Sequence, residues 1–269
     1  SQYPTVQIHQ ADEDYTEHER DHEVAYSTEL TLTTDEFLPI RTFQNFEVDP
    51  LAGITGTLAK LETTGEELWI QVLVRPIPDD WQNAADRYIN SIRNGRMFSL
   101  PGFGGSMQWL IGVLGALWQP PEQGANQSTA IELSDRDKTR ISEAEKKATK
   151  LGYEVKIRLV YMGESQTNAK LRMQALVGTF KQFNSTNLNG FHAVKGAFGK
   201  EFIDKYRKRS FIGDGFILNI EELASVFHLP HTNVETPNIV WASSKTAEPP
   251  SKLPVLTGED VNDDQISAF

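Results

Sequence analysis

Cysteine is absent from this chain of 269 residues. That excludes a disulfide scaffold and any thiolate metal site, and it leaves the redox compartment unreadable. A P-loop is also missing. The nearest stretch, Lys195–Lys200 (KGAFGK), runs into Glu201 where the motif requires Ser or Thr after its lysine. It reads as a flexible loop. Positive charge is in short supply: 26 Lys and Arg stand against 37 Asp and Glu, a net charge of −11. A surface acidic on the whole argues against a protein built throughout to coat nucleic acid. No signal peptide opens the chain. The start, SQYPTVQIH, reads as an extended segment already in progress, so the chain is expected to begin inside a longer protein.

What is present is ordinary for a folded protein: 39% hydrophobic and 23% charged residues, enough chain for one large or two small domains. Strands and helices alternate along it. Thr5–His9 reads as a short strand, followed by an acidic loop. Ser27–Thr33 and Phe37–Phe43 both alternate well enough to pair as strands. Asp49-Pro50 is a helix start, and Leu51, Ile54, Leu58 and Leu61 line one side of that helix. Glu67–Pro76 is the clearest strand, with Leu68, Ile70, Val72 and Val74 on one face and Trp69, Gln71, Leu73 and Arg75 on the other. A helix follows from Asp79 or Asp80 to Asn94.

The second half repeats these elements in another order. Ser134–Leu151 reads as a charged helix and Tyr153–Met162 as a strand with Val155, Ile157, Leu159 and Tyr161 facing one way. Asn168–Phe183 reads as an amphipathic helix built on Leu171, Ala175, Leu176 and Phe180. Asn219 and Glu222 then form a capping box opening a short helix. Ile220, Leu223, Val226 and Phe227 are expected to pack it onto the sheet, and His228 to cap its end. The expected fold class is α+β: helices on mainly antiparallel sheets, arranged as two ferredoxin-like sandwiches. The expected divisions are a first subdomain at 1–96, an apolar insertion at 97–133, a second subdomain at 134–241, and a Pro-rich, acidic linker at 242–269.

Three segments could carry function. His18-Glu19-Arg20-Asp21-His22 is a literal H-E-x-x-H, the pattern that lets two histidines one helical turn apart share a zinc ion. Charged neighbours and the lack of an evident third ligand favour a solvated loop, so no metal ligand is assigned. Lys205, Tyr206, Arg207, Lys208 and Arg209 form a basic cluster in an acidic chain. The cations could lie on phosphates with the tyrosine stacked on a base, or on a partner protein; the plainer reading is a solvated helix face. Met97–Trp118 carries no charge, but Pro101, Gly102, Gly104 and Gly105 break it, leaving Ser106–Trp118 as a helical piece. That piece falls short of the ~20 residues needed to span a bilayer. Trp109, Leu110, Ile111, Leu114 and Trp118 are therefore candidates for contact with a membrane surface or another subunit, against an ordinary fold-back onto the domain's own core.

The segments QYPTVQIH, EDYT, PIRTFQNFEVDPLAGIT and IQVLVRPI followed by Trp81 form one pattern with EKKATKLGYEVKIRLVY, GTFKQFN and ILNIEELASVFHLP. From Tyr3 to Pro254 it resembles the N-terminal, pre-ATPase region of bacterial type IV secretion and conjugative DNA-transfer ATPases of the HerA–FtsK type. The shared motifs are structural, not catalytic. The resemblance implies a non-catalytic module that positions or assembles a motor near the membrane, with no catalytic residue and no cofactor of its own. Its implied partners are a downstream ATPase domain, neighbouring subunits of a homo-oligomer and a membrane surface, with DNA contact open. It implies a cytoplasmic location, tied to the membrane through a segment outside this chain. Two alternatives stay open: a zinc metallopeptidase using the HERDH segment, and a stand-alone structural subunit of a secretion apparatus.

Overall fold

The computed structural model describes residues 10–17, 24–61, 65–94, 133–163, 165–194 and 200–229. Of the two units into which the chain divides, the one spanning Glu13–Ile239 holds every element named below.

The strongest alternation in the sequence builds the centre of the sheet. Strand β3, Gly152–Gly163, buries Val155, Ile157, Leu159 and Tyr161 completely. Strand β2, Glu67–Pro76, runs antiparallel along one edge of β3, from Glu67 opposite Met162 to Pro76 opposite Tyr153. Two strands share the other edge. Strand β1, Val24–Leu32, pairs with the C-terminal part of β3, and β5, Phe216–Asn219, pairs with Gly152–Val155. A three-residue strand β4, Phe191–Ala193, lies outside β1. The α+β class is as expected, but the two sandwiches are one five-stranded sheet. β1 and β2, from the first half of the sequence, satisfy the backbone groups on both edges of a strand from the second half.

Each face of the sheet is covered by helices. On the first lie α1, Leu51–Leu58, and α4, Gln166–Phe180, with Ile54, Met173, Leu176 and Phe180 meeting Leu30, Ile157 and Leu159. Helices α2, Asp80–Arg93, and α3, Asp135–Ala148, form a second core, in which Trp81, Tyr88 and Ile89 pack with Ile141 and Ala144. Helix α5, Lys200–Arg207, covers Trp69 and Val160 on the other face of the sheet. The short α6, Ile220–Val226, follows β5 directly.

Four local expectations differ from what forms. Phe37–Phe43 is not a strand, although Phe37, Leu38 and Ile40 are buried as the alternation suggested. Its backbone groups go elsewhere: Ile40 N–H to a Glu222 carboxylate oxygen at 2.8 Å, Arg41 N–H to the Phe183 carbonyl at 2.8 Å, and the Leu38 carbonyl to the buried Asn189 amide at 3.1 Å. With those groups committed, no strand ladder can form there. Helix α4 ends at Phe180, with a 3-10 turn over Lys181–Phe183, and its buried line is Ala169, Met173, Leu176 and Phe180. Leu171, expected in the core, is 60% exposed, and Ala175 is exposed too. In α6, Val226 is buried and Leu223 half-buried, but Ile220 and Phe227 face outward. Helix α1 stops at Leu58, one turn before Leu61. The Thr5–His9 strand, the HERDH segment and the 97–118 and 242–269 stretches lie outside the described residues.

Candidate interaction site

The basic cluster sits at the C-terminal end of α5, where cations suit the negative end of the helix dipole. Its five residues do different things. Lys205 holds Glu201 one turn earlier at 2.7 Å. Tyr206 is fully buried, with its ring 5.6 Å from that of Trp69 and its hydroxyl 3.2 Å from the Tyr15 hydroxyl. Burial pushes the Tyr206 phenol well above its usual range. A ring in that position can neither stack on a base nor lie on a solvated face, so the candidate contact is corrected: Tyr206 is a core residue. Arg209 donates to Asp14 at 2.6 Å, and Asp14 sits at about 2 because the Thr16 N–H and then the Arg209 guanidinium stabilise its charge. Only Arg207 and Lys208 stand exposed with neither hydrogen bond nor ion pair from their side chains among the described residues.

The end of α5 is held from two sides. Ser210 N–H returns to the Lys205 carbonyl and Arg209 N–H to the Tyr206 carbonyl, with Arg209 in the left-handed region at φ 49. This is a Schellman ending with arginine where glycine is usual. The same two carbonyls also accept from the sheet below: Lys205 from Arg158 Nη1 at 3.3 Å and Tyr206 from Gln71 Nε2 at 3.0 Å. Register explains the reach. Glu29, Arg158 and Gln71 face one another across β1, β3 and β2, forming a polar row on the face opposite the main core. Arg158, 2% exposed, completes the row with 2.8 Å to Glu29. One step along β3, Lys156 donates to the Asp214 carbonyl at 2.7 Å, and the Phe211 ring is flanked by Arg75 at 4.3 Å and Lys156 at 5.6 Å.

A second buried charge cluster joins α3, α6, β5 and the 37–42 segment. Lys147 and Glu222 are both closed to solvent, 3.0 Å apart. The Lys147 ammonium also donates to the Ile217 carbonyl at 3.0 Å and faces the Leu38 carbonyl at 3.4 Å. Glu222 accepts Ile40 N–H and, through the capping box, Asn219 N–H at 2.8 Å each. Beside this pair opens a polar groove of about 570 Å³, lined by Arg41, Lys146, Lys150, Asn184, Ser185 and Glu221 among others. Its cations are already engaged: Lys146 with Glu143, Lys150 with Glu221, and Arg41 with the Asn45 carbonyl and the Phe46 ring. As expected, His228 closes α6, its Nδ1 lying 2.9 Å from the Ala224 carbonyl and its Nε2 3.0 Å from Asp49.

Sequence reading found the capping box but missed the buried pair. The signal was there: Lys147 falls in helical register with Ile141 and Ala144, an apolar line that a solvated lysine would not join. The candidate residues Trp109, Leu110, Ile111, Leu114 and Trp118 lie outside the described residues, as do His18 and His22. Among the described residues no group of three or more His, Cys, Asp or Glu is placed to hold a metal ion, and no helix is long and apolar enough to cross a membrane.

A family model matches residues 1–242, nine-tenths of the chain. The chain belongs to the DUF8128 family, a domain of unknown function. Comparison with curated proteins and with solved structures finds no match in either. The DUF8128 match covers every element described above, so the sheet, the Lys147–Glu222 pair and the basic end of α5 all belong to the DUF8128 domain.

Proposed function

We infer that this DUF8128 domain is a non-catalytic positioning module, the N-terminal part of a type IV secretion or DNA-transfer ATPase, which holds or assembles a motor near the membrane. Two things support the reading. One is the sequence resemblance running from Tyr3 to Pro254. The other, which carries it on the structural side, is how the buried charges are used. Lys147, Lys156 and Arg158 each reach across to backbone carbonyls of another element, and two of them also meet a carboxylate. Such groups are costly to bury and typically serve catalysis when left poised in a cleft. Here they brace helices and loops against one sheet, which suits a body that transmits position.

The isolated chain tests the reading against its alternatives. Titration with Mg-ATP should give no saturable binding up to millimolar nucleotide, and exhaustively dialysed protein should carry well below one zinc per chain. Micromolar nucleotide binding would overturn the non-catalytic reading. One zinc per chain, lost together with peptidase activity in the His18→Ala, His22→Ala variant, would replace it with the metallopeptidase.

A further inference from the structure

Between α4 and the β1–β4 edge of the sheet runs a second groove, of about 660 Å³. Its floor is apolar, from Met173, Val177, Ala193 and Val194, and Val194 is 40% exposed. Lys170 and Lys181 stand in its lining, both exposed, and neither ammonium has a hydrogen-bond or ion-pair partner among the described residues. Among the described residues no carboxylate lines it, in a chain whose acidic residues outnumber its basic ones by 37 to 26. At the Lys170 end a smaller hollow continues along α4 past Gln166 and Leu171. Leu171 is the leucine that sequence periodicity assigned to the core and that the fold leaves 60% exposed.

We propose that this groove binds an extended acidic peptide: an apolar stretch with a carboxylate at each end, spaced to meet Lys170 and Lys181. The spacing follows from the helix. Lys181, the residue that caps the end of α4, comes 11 residues after Lys170, close to three full turns, so the two stand on one side of the helix axis and about 16 Å apart. An extended chain rises about 3.3 Å per residue and turns successive side chains to opposite faces, so carboxylates about four or six residues apart share a face and bracket that distance. Alternate side chains between them would point onto Met173, Val177 and Val194, while the others face water. A single-headed amphiphile would match only one of the two cations. A nucleic acid would gain little from a groove whose described lining residues include one aromatic ring, that of Tyr26. The two lysines add charge complementarity, which sets specificity and association rate. The proposal is independent of the motor reading, since a peptide groove serves an assembly subunit equally well.

The test is a peptide array in which two aspartates flank a valine–threonine stretch at separations of two to nine residues, probed with the full 269-residue chain. Hits are then measured in solution by fluorescence anisotropy with labelled DTVTVTD and its lysine-ended counterpart KTVTVTK. The expected result is an optimum at a separation of about four or six with weaker binding at five, no measurable binding of KTVTVTK, and at least a tenfold loss of affinity for the Lys170→Glu, Lys181→Glu variant. Both lysines are exposed, so that variant should keep its circular dichroism spectrum and melting temperature. A Val177→Asp variant should also lose binding, through the floor instead of the rim. A response flat in separation, or binding untouched by the charge reversal, would overturn the proposal. Failure of every peptide, alongside binding of dodecanoate or of vesicles containing anionic lipid, would assign the groove to an amphiphile and equally overturn it.

Discussion

Lys147 and Glu222, 75 positions apart in sequence, meet at 3.0 Å with no exposure to solvent. The pair ties α3 to the start of α6, and through Ile40 N–H and the Leu38 carbonyl it fixes the irregular 37–42 segment between them. Removing one partner leaves the other charge buried without compensation, which typically costs about 3–5 kcal/mol. Lys147→Met should therefore lose stability in that range in urea denaturation. Lys147→Met combined with Glu222→Gln should recover part of it, since the glutamine oxygen can still accept Ile40 N–H. A Lys147→Met variant within about 1 kcal/mol of the parent would show that the pair does not brace the junction.

Arg209 offers a test of backbone strain isolated from its charge. Arg209→Gly and Arg209→Ala both lose the contact with Asp14, but only glycine adopts φ 49 without penalty. The glycine variant should be more stable than the alanine variant by about 1 kcal/mol, the usual cost of a left-handed non-glycine residue. Equal melting temperatures would contradict the Schellman ending of α5.

Two carboxyl groups should act on stability with opposite signs as pH changes. Burial raises the Glu36 carboxyl above its usual range, so the folded state holds that proton more tightly than the unfolded chain. Stability from this group is full below about pH 4.5 and declines as pH rises through the folded value. Glu36→Gln, which can still accept Ile217 N–H, should thus raise stability at pH 7 relative to pH 4. Asp14 runs the other way: lowered from 3.8 to about 2, it contributes above pH 3.8 and loses that contribution as pH falls toward 2. Asp14→Asn should flatten the acid limb of the stability profile. Urea midpoints between pH 2 and pH 8 report both effects.

Helix α4 separates what was legible in the sequence from what was not. Its position and type followed from apolar spacing, yet two of the four residues assigned to its core face, Leu171 and Ala175, point outward. Apolar residues lie on more than one side of α4, so periodicity alone could not fix its rotation. Leu176→Ala should cost about 2–5 kcal/mol, as emptying a core leucine site does. Leu171→Ala should stay within about 0.5 kcal/mol. Comparable losses at both sites would contradict the observed rotation.

Strands β2 and β3 were readable nearly to the residue because alternation on a two-faced sheet is a local property. Their assembly into one sheet was not, because register between distant strands leaves no mark in local pattern. Phe37–Phe43 shows the same limit from the other side. Its alternation correctly signalled burial, but the partners that keep it from being a strand, Asn189, Phe183 and Glu222, lie more than 140 residues away. The buried end of the basic cluster was hidden likewise: KYRKR looks uniformly solvated, and only the placement of α5 over Trp69 and Val160 sends Tyr206 inward.

The positioning role is tested most directly on the full-length protein from the complete reading frame, prepared with and without residues 1–254. ATP hydrolysis and sedimentation should be measured on both. The account predicts that detectable hydrolysis resides in the part beyond residue 254 and survives the deletion, while the assembled species falls away. Hydrolysis by residues 1–254 alone, a full-length protein with no ATPase activity, or unchanged assembly after the deletion would contradict it.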